Sequence, residues 1–471
     1  MRREHGTGHT EARRGRQGSR RTRAHAWAAL VATGALALTA CGGGGGGGDK
    51  ADPPAGSGPS AGPRVALPQL TGEKLEVAAV WTGPEQANFT KVLKEFEKRT
   101  GATVTFVPAQ DPIVTFLGSK IAGGQPPDVA LLPQVGALVS AVRNKWVQPV
   151  GPEAKAELEK NYSQGWKTLG AVDGTQYGVY YKAANKSLVW YNAKAFEAAG
   201  VQPPKTWKDL ITAADTLSAS GTPAVSVAGA DGWTLTDWFE NVYLSQAGPE
   251  KYDKLAKHEI KWTDDSVKQA LTTLGELFGR TDYLAGGQSG ALATEFPKSV
   301  TQTFTGGDRP AAAMVFEGDF VAVNIAQTEA KVGKDALVFP FPAVGGGKAP
   351  VVSGGDVAVA LKPSKGAQAL LTFLASPDAA EVQAREGGFV SPNKSVDPAA
   401  YPNDIQRGIA KALIAAGDDF RFDMSDQAPA AFGGTPGAGE WKDLQDFLAN
   451  PSDVAGAQAK LEADAAKAFG N

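Results

Sequence analysis

From Lys74 onward the chain alternates short apolar runs with segments of helical period, and this alternation constrains the fold more than any other feature. Leu75-Glu76-Val77-Ala78-Ala79-Val80 reads as a strand. Phe89, Val92, Leu93 and Phe96 then recur at i, i+3, i+4 and i+7, one face of a helix. Thr82 stands as its N-cap, with Pro84 in the first turn and Glu85 three residues on. Strands are expected at 103–107 and 128–132, and helices at 112–122 and 135–145. Further strands are expected at 223–228, 311–316, 336–340 and 356–361, and further helices at 234–246 and 266–278. Another helix is capped by Thr206, with Leu210, Ala213, Ala214 and Leu217 on one face, and the C-terminal stretch reads as largely helical. Such alternation implies a mostly parallel sheet with helices on both faces. Between Gln176 and Asn192 the chain is instead aromatic and extended (Tyr177, Tyr180, Tyr181, Trp190, Tyr191). No repeat of fixed period is present, and no C-terminal piece separates from the rest. Two α/β lobes joined by extended crossovers fit the pattern.

Residues 1–40 have a different character. A leader with Arg13, Arg14, Arg16, Arg20, Arg21 and Arg23 precedes an apolar segment from Trp27 to Ala40, the order of a secretory signal peptide. The apolar run is shorter than the about 20 residues that a membrane span needs. A core helix would not be flanked by a basic leader and polyglycine. The ending Leu38-Thr39-Ala40-Cys41 resembles the bacterial lipobox, whose Cys becomes the acylated first residue of a mature lipoprotein. That resemblance implies lipidation at Cys41 and a place on the extracellular face of the bacterial cell membrane, reached through the lipid anchor only. Residues 42–48 are all Gly, and 49–66 are rich in Pro, Gly, Ser and Ala, so 41–73 is assigned as a flexible tether.

The composition excludes several function classes. The whole chain has a net charge of −3, and removing the Arg-rich leader makes the remainder more acidic, so no nucleic-acid partner is expected. Three of the four His (His5, His9, His25) lie in the leader, which leaves His258 alone in the polar, helix-like stretch 254–261. One His and one lipid-linked Cys cannot assemble the usual zinc sites, and no nucleophile motif stands beside His258 for a catalytic triad. No metal and no cofactor are expected. With one Cys there is no disulfide, so the fold relies on its core. Tryptophan is abundant: Trp81, Trp146, Trp166, Trp190, Trp207, Trp233, Trp238, Trp262 and Trp441 all follow the leader. Most are expected to be ordinary buried residues, but several stand at strand ends or in loops, which border clefts in α/β folds.

Five segments together resemble the extracellular solute-binding proteins of ABC importers, in the carbohydrate-binding group related to maltose-binding proteins. They are Trp81-Thr82-Gly83-Pro84-Glu85, Gly123-Gly124-Gln125-Pro126-Pro127-Asp128-Val129-Ala130, Pro203-Pro204-Lys205-Thr206-Trp207, Ala313-Met314-Val315-Phe316-Glu317-Gly318-Asp319-Phe320 and Gly387-Gly388-Phe389-Val390-Ser391-Pro392-Asn393-Lys394. The Gly-Trp-x-Leu-Thr-Asp-Trp run at 232–238 is similar to that of α-glucoside-type binders within the group. The resemblance implies a two-lobed periplasmic-binding-protein-like fold with an interlobe ligand cleft and hinge crossovers. It implies a non-catalytic, monomeric receptor that takes a sugar, of oligosaccharide and α-glucoside type, and hands it to ABC permease subunits. It also implies the division of the chain: 74–188 with 353–395 in one lobe, and 189–352 with 396–471 in the other.

A sugar presents hydroxyls around apolar C–H faces, so its site needs flat aromatics together with amides and carboxylates. Trp81 ends the first strand, where an open α/β sheet places ligand contacts, or else covers the helix start. Glu85 beside it accepts hydroxyls or caps the helix. Gln134 follows the third strand with a two-way amide. Trp233 lies in a strand-to-helix loop whose family counterpart supplies a stacking aromatic, whereas Trp238 is expected in the core. Asp237 faces the cleft or answers the helix dipole. Glu317, Asp319 and Phe320 fall in a strand-end loop whose family counterpart carries another aromatic, with Phe here in place of the commoner Trp. Gly355 and Asp356, with Gly354, allow close backbone approach at a crossover or serve the hinge. Asp423 and Trp441 complete the candidates. A glycoside hydrolase, which needs two carboxyl groups flanking a bond, and the same fold carrying a non-sugar solute are the alternatives.

Overall fold

Strand Lys74–Ala79 forms where a period-2 apolar run meets a glycine turn, and it is the spine of the first sheet. It pairs in parallel with Thr103–Pro108 on one side and Val129–Leu132 on the other. In this computed structural model residues 64–110, 112–417 and 420–470 are described. The leader, Cys41 and the glycine run therefore lie outside the described residues. Strand Val352–Ala360 continues the sheet antiparallel to Val129–Leu132, and itself pairs with Gly178–Asn185 antiparallel and Arg421–Phe422 parallel. A second sheet carries Ala336–Pro340, Leu188–Asn192, Met314–Glu317 and Val225–Ser226 in that order, with two antiparallel pairs and one parallel. The sheets are mixed, not mostly parallel. The physical reason is the crossover strands: Gly178–Asn185 and Val352–Ala360 run between the sheets without a βαβ helix, so nothing imposes the parallel direction.

The helices form on the expected faces. Phe89, Val92, Leu93 and Phe96 are all buried along Gly83–Thr100. Thr206 caps Trp207–Ala219 through a capping box with Asp209. Thr82 is N-cap by position, but its side chain makes no capping bond, and the Glu85 side chain is instead paired with Lys182. His258 sits at φ +54° after helix Pro249–Ala256, with its ring buried against Phe469 and Nε2 at 3.3 Å from Glu462. Long-range packing there overrides the polar local sequence.

The buried apolar residues form two cores, the first of which also takes in Trp190, Val300, Phe304 and Val315 from around the second sheet. The first gathers Val77, Phe89, Phe96, Leu131, Tyr181, Leu371 and Phe373, and the second Phe239, Tyr243, Trp262, Leu274, Phe316 and Leu444. Trp238 is in the second core, at 4.5 Å from Phe316. Leu70 is buried in the first core and Arg99 binds Val65 O, so the folded part starts ahead of residue 74. Helix Asp404–Ala416 buries Ile409, Ala410 and Leu413 in the first core, and Phe420 and Phe422 pack there against Trp166.

Candidate ligand-binding site

The carboxyl ends of the first sheet point toward the second lobe and enclose a cavity of about 230 Å³. Of the residues expected at a site, Trp81, Glu85, Gln134, Trp233, Phe320, Gly355, Asp356 and Trp441 line it. Trp81 and Gln134 come from the strand ends, where the parallel part of the sheet opens. Gln134 is at the N-cap of helix Val135–Arg143 without bonding it, and it lies against Gly434 of the facing wall, where a Cβ would fall 2.5 Å from Nε2.

Local geometry sets the aromatic wall. Gly232 has φ +81°, and a Cβ there would approach Trp441 Cβ to 2.8 Å, so only glycine lets the loop turn into helix Trp233–Ala247 against Trp441. Trp233 is left half-buried, with Phe296 at 5.5 Å and Phe320 at 6.1 Å between ring centroids. Phe296 was not anticipated, since nothing in its local pattern marks it. The indole Nε1 of Trp441 is buried and meets no acceptor among the described residues.

Two lysines of the first crossover, both missed in the sequence, organise the polar wall. Lys182 is ion-paired with Glu85, lies 3.7 Å from Asp356, and sits 5.4 Å over Trp81 and 5.5 Å over Phe320. Asp356 and Lys182 are register partners at a β-bulge, where the ladder slips between Asp356 and Val357, and such a bulge re-aims side chains. Burial pushes the Asp356 carboxyl up to about 6 against the pull of Lys182. Burial would lower the Lys182 ammonium, but Glu85 and Asp356 outweigh it and hold the group above its ordinary range. Gly355 is required for backbone approach, because a Cβ there would fall 2.5 Å from Lys182 O.

Lys186 pairs with Asp423, with Asp237 at 3.3 Å and with Asp426 at 3.5 Å, and lies 5.7 Å over Trp233. Asp426 and Ser425 line the cavity beside it. Four of the expected residues stand behind this wall instead of in it: Asp237, Glu317, Asp319 and Asp423 are all buried and do not line the cavity. Asp423 caps helix Met424–Gln427 and holds Lys186; burial works against its charge, but Lys186 prevails and its carboxyl lies well below the usual range. Asp319 accepts Asn185 N–H at 2.6 Å, and burial pushes it up to about 6. Glu317 lies by Asp237, and burial pushes its carboxyl up to about 8. Helix Met424–Gln427 is docked by Glu240, which accepts the Met424 and Ser425 amides at 2.8 and 2.9 Å.

The aromatic-walled cleft offers apolar ring surface and several acceptors side by side. A family model described as bacterial extracellular solute-binding protein matches residues 81–381. The chain belongs to that family. This solute-binding protein is 33% identical over 387 residues to the osmoprotective compounds-binding protein GgtB of Synechocystis sp., covering 80% of this chain and 89% of the relative. It is likewise 33% identical over 401 residues to the alpha-glucosides-binding periplasmic protein AglE of Rhizobium meliloti, covering 82% and 85%. Among solved structures it is similar to the bacterial solute receptor AcbH, with TM-score 0.72, 21% identity and coverage of 84% of this chain and 99% of that one. It is also similar to maltose-bound MalE3 of T. maritima, with TM-score 0.65, 16% identity and coverage of 83% and 98%. These two likenesses show the two-lobed fold. Members of the family are extracellular or periplasmic solute-binding components of ABC transporters and not enzymes, which removes the hydrolase alternative.

Proposed function

We propose that this solute-binding protein is a sugar receptor for short α-glucosides, tethered by a lipid on Cys41 and serving an ABC import permease. The observation that carries the reading is the cavity itself: Trp81, Trp233 and Phe320 offer faces to sugar rings while Gln134, Glu85 and Asp356 offer polar atoms to hydroxyls. The names of AglE and GgtB point to α-glucosides and to small protective solutes. A cavity of about 230 Å³ is below the roughly 300–1,000 Å³ of drug-sized sites, which favours one or about two sugar rings over a long oligosaccharide.

The lobes in this reading comprise about 65–186, 353–422 and 187–352, 423–470, with Lys186, Ser353 and Asp423 at the three crossovers. Closure is a hinge motion of rigid lobes about these points. Thermal-shift titration of the full chain against a sugar panel tests the ligand class. An α-glucoside at about 100 times its Kd stabilises the native state by about 2.7 kcal/mol. A shift given only by non-sugar solutes, or by none of the sugars, overturns the reading. Fatty-acid-analogue labelling that marks Cys41→Ser as strongly as wild type would remove the anchor.

A further inference from the structure

The cleft contains two cations of its own, four residues apart on one crossover. Lys182 and Lys186 have side chains only 8% and 12% exposed, so neither is a loose surface charge. Each ammonium lies within about 6 Å of an aromatic face, the range of a cation–π contact. Each is also held by carboxylates: Glu85 and Asp356 around Lys182, and Asp237, Asp423 and Asp426 around Lys186. Aromatic faces with carboxylates behind them are the arrangement that receives an alkylammonium ligand. Here the alkylammonium groups are side chains of the protein.

We propose that Lys182 and Lys186 are specificity-determining residues, which make the cleft select uncharged polyhydroxy ligands and reject both ammonium- and carboxylate-bearing analogues. The inference rests on the sugar-binding reading above and adds the charge class of the ligand. An ammonium on the ligand meets the like charge of a lysine already set against each ring, and displacing that lysine would leave a buried carboxylate unpaired. A carboxylate on the ligand finds no free cation, because both lysines are already neutralised, and it comes close to Glu85, Asp356 and Asp426. A hydroxyl suits the same groups, since a paired ammonium has three N–H donors and a paired carboxylate keeps spare lone pairs. If the lysines served only to hold the hinge, their loss would alter stability and leave ligand preference unchanged.

The test is calorimetric titration of the full chain with two neutral scaffolds, methyl α-glucoside and trehalose, and with the 6-amino-6-deoxy and 6-carboxylate counterparts of each. Wild type is expected to bind the better neutral scaffold at least tenfold more tightly than either charged counterpart. In Lys182→Met the ratio of amine to neutral affinity is expected to rise roughly tenfold, and Lys182→Arg, which keeps the charge, is expected to retain the wild-type ratio. Charged counterparts binding wild type within threefold of the neutral sugar would overturn the inference, and that arm decides it even where the Met variant fails to fold. A folded Lys182→Met with an unchanged ratio would overturn it too. Wild type that binds neither neutral scaffold but is stabilised by another solute overturns the sugar reading, and this inference with it.

Discussion

Lys182 and Lys186 belong to the same crossover, carry the same charge and lie over similar rings, yet their surroundings differ. The partners of Lys182, Glu85 and Asp356, both line the cavity. Two of the partners of Lys186, Asp237 and Asp423, are 0% exposed and lie where the second and third crossovers meet helix Trp233–Ala247. A Cβ at Gly354 would come within 2.7 Å of the Lys186 side chain, so the second crossover also closes on it. Both lysines line the cavity, but the partners of Lys182 line it too, whereas Lys186 also ties buried carboxylates of two other segments together. A charged residue type near a cleft therefore says little until the accessibility of its partners is known.

The largest test of this contrast is stability. Breaking a buried pair by removing one partner costs about 3–5 kcal/mol, and that is the loss expected for Lys186→Met in urea unfolding. Lys182→Met is expected to lose less, about 2 kcal/mol, because Glu85 is partly exposed while Asp356 stays buried without its partner. Equal losses in the two variants would erase the distinction.

The ring beneath Lys186 gives the second test. Trp233→Ala is expected to weaken sugar binding by about 2 kcal/mol or more, roughly 30-fold at about 1.4 kcal/mol per tenfold. Its melting temperature should change little because the ring is half-buried. Trp238→Ala, five residues on and in the core, should do the opposite, with a loss of about 3–5 kcal/mol in stability. Calorimetric affinity of Trp233→Ala within threefold of wild type, with an evident drop in melting temperature, would move Trp233 from the site to the core.

The third test is a pH profile of the acids around Lys186. Glu317 ordinarily titrates near 4.5 and is pushed by burial to about 8, with Lys186 and Asp237 pulling the other way and Asp423 adding to the rise. The folded state keeps this proton where the unfolded chain has lost it. Its contribution to stability is therefore complete below about pH 4.5 and is lost as the pH rises through about 8. Urea unfolding should show stability falling by up to about 1.4 kcal/mol per pH unit across that window. Asp319 and Asp356, each pushed to about 6, act in the same direction at its lower end. Glu317→Gln should flatten the upper part of the profile; a wild type more stable at pH 8 than at pH 6 would contradict the assignment.

Much of the frame was legible because it is local. Strand Ala336–Pro340 matches its expected bounds, and Trp81 and Gln134 reach the cavity by standing at strand ends. The polar wall was not legible in the same way. Lys182 meets Glu85 across 97 residues and Lys186 meets Asp423 across 237, and no periodicity encodes such a pairing. Glu85, placed as expected for a helix-start acid, left that role because a buried ammonium binds a carboxylate more strongly than a backbone amide does. Asp237, Glu317, Asp319 and Asp423 have the residue type that a sugar site uses, but the fold turns them inward: Asp237 and Asp423 meet Lys186, Asp319 accepts Asn185 N–H, and Glu317 lies by Asp237.

The sequence by itself determined the two α/β lobes, the extended crossovers, the absence of disulfide support and the aromatic supply of the cleft, since each depends on spacing or composition that a linear reading can see. Only the tertiary structure decided which carboxylates face the cavity, that helix Asp404–Ala416 packs into the first core, and that two lysines lie over the aromatic rings. Those outcomes depend on electrostatic and packing contacts between segments far apart in the chain, and burial, which sets their strength, exists only once the lobes have formed.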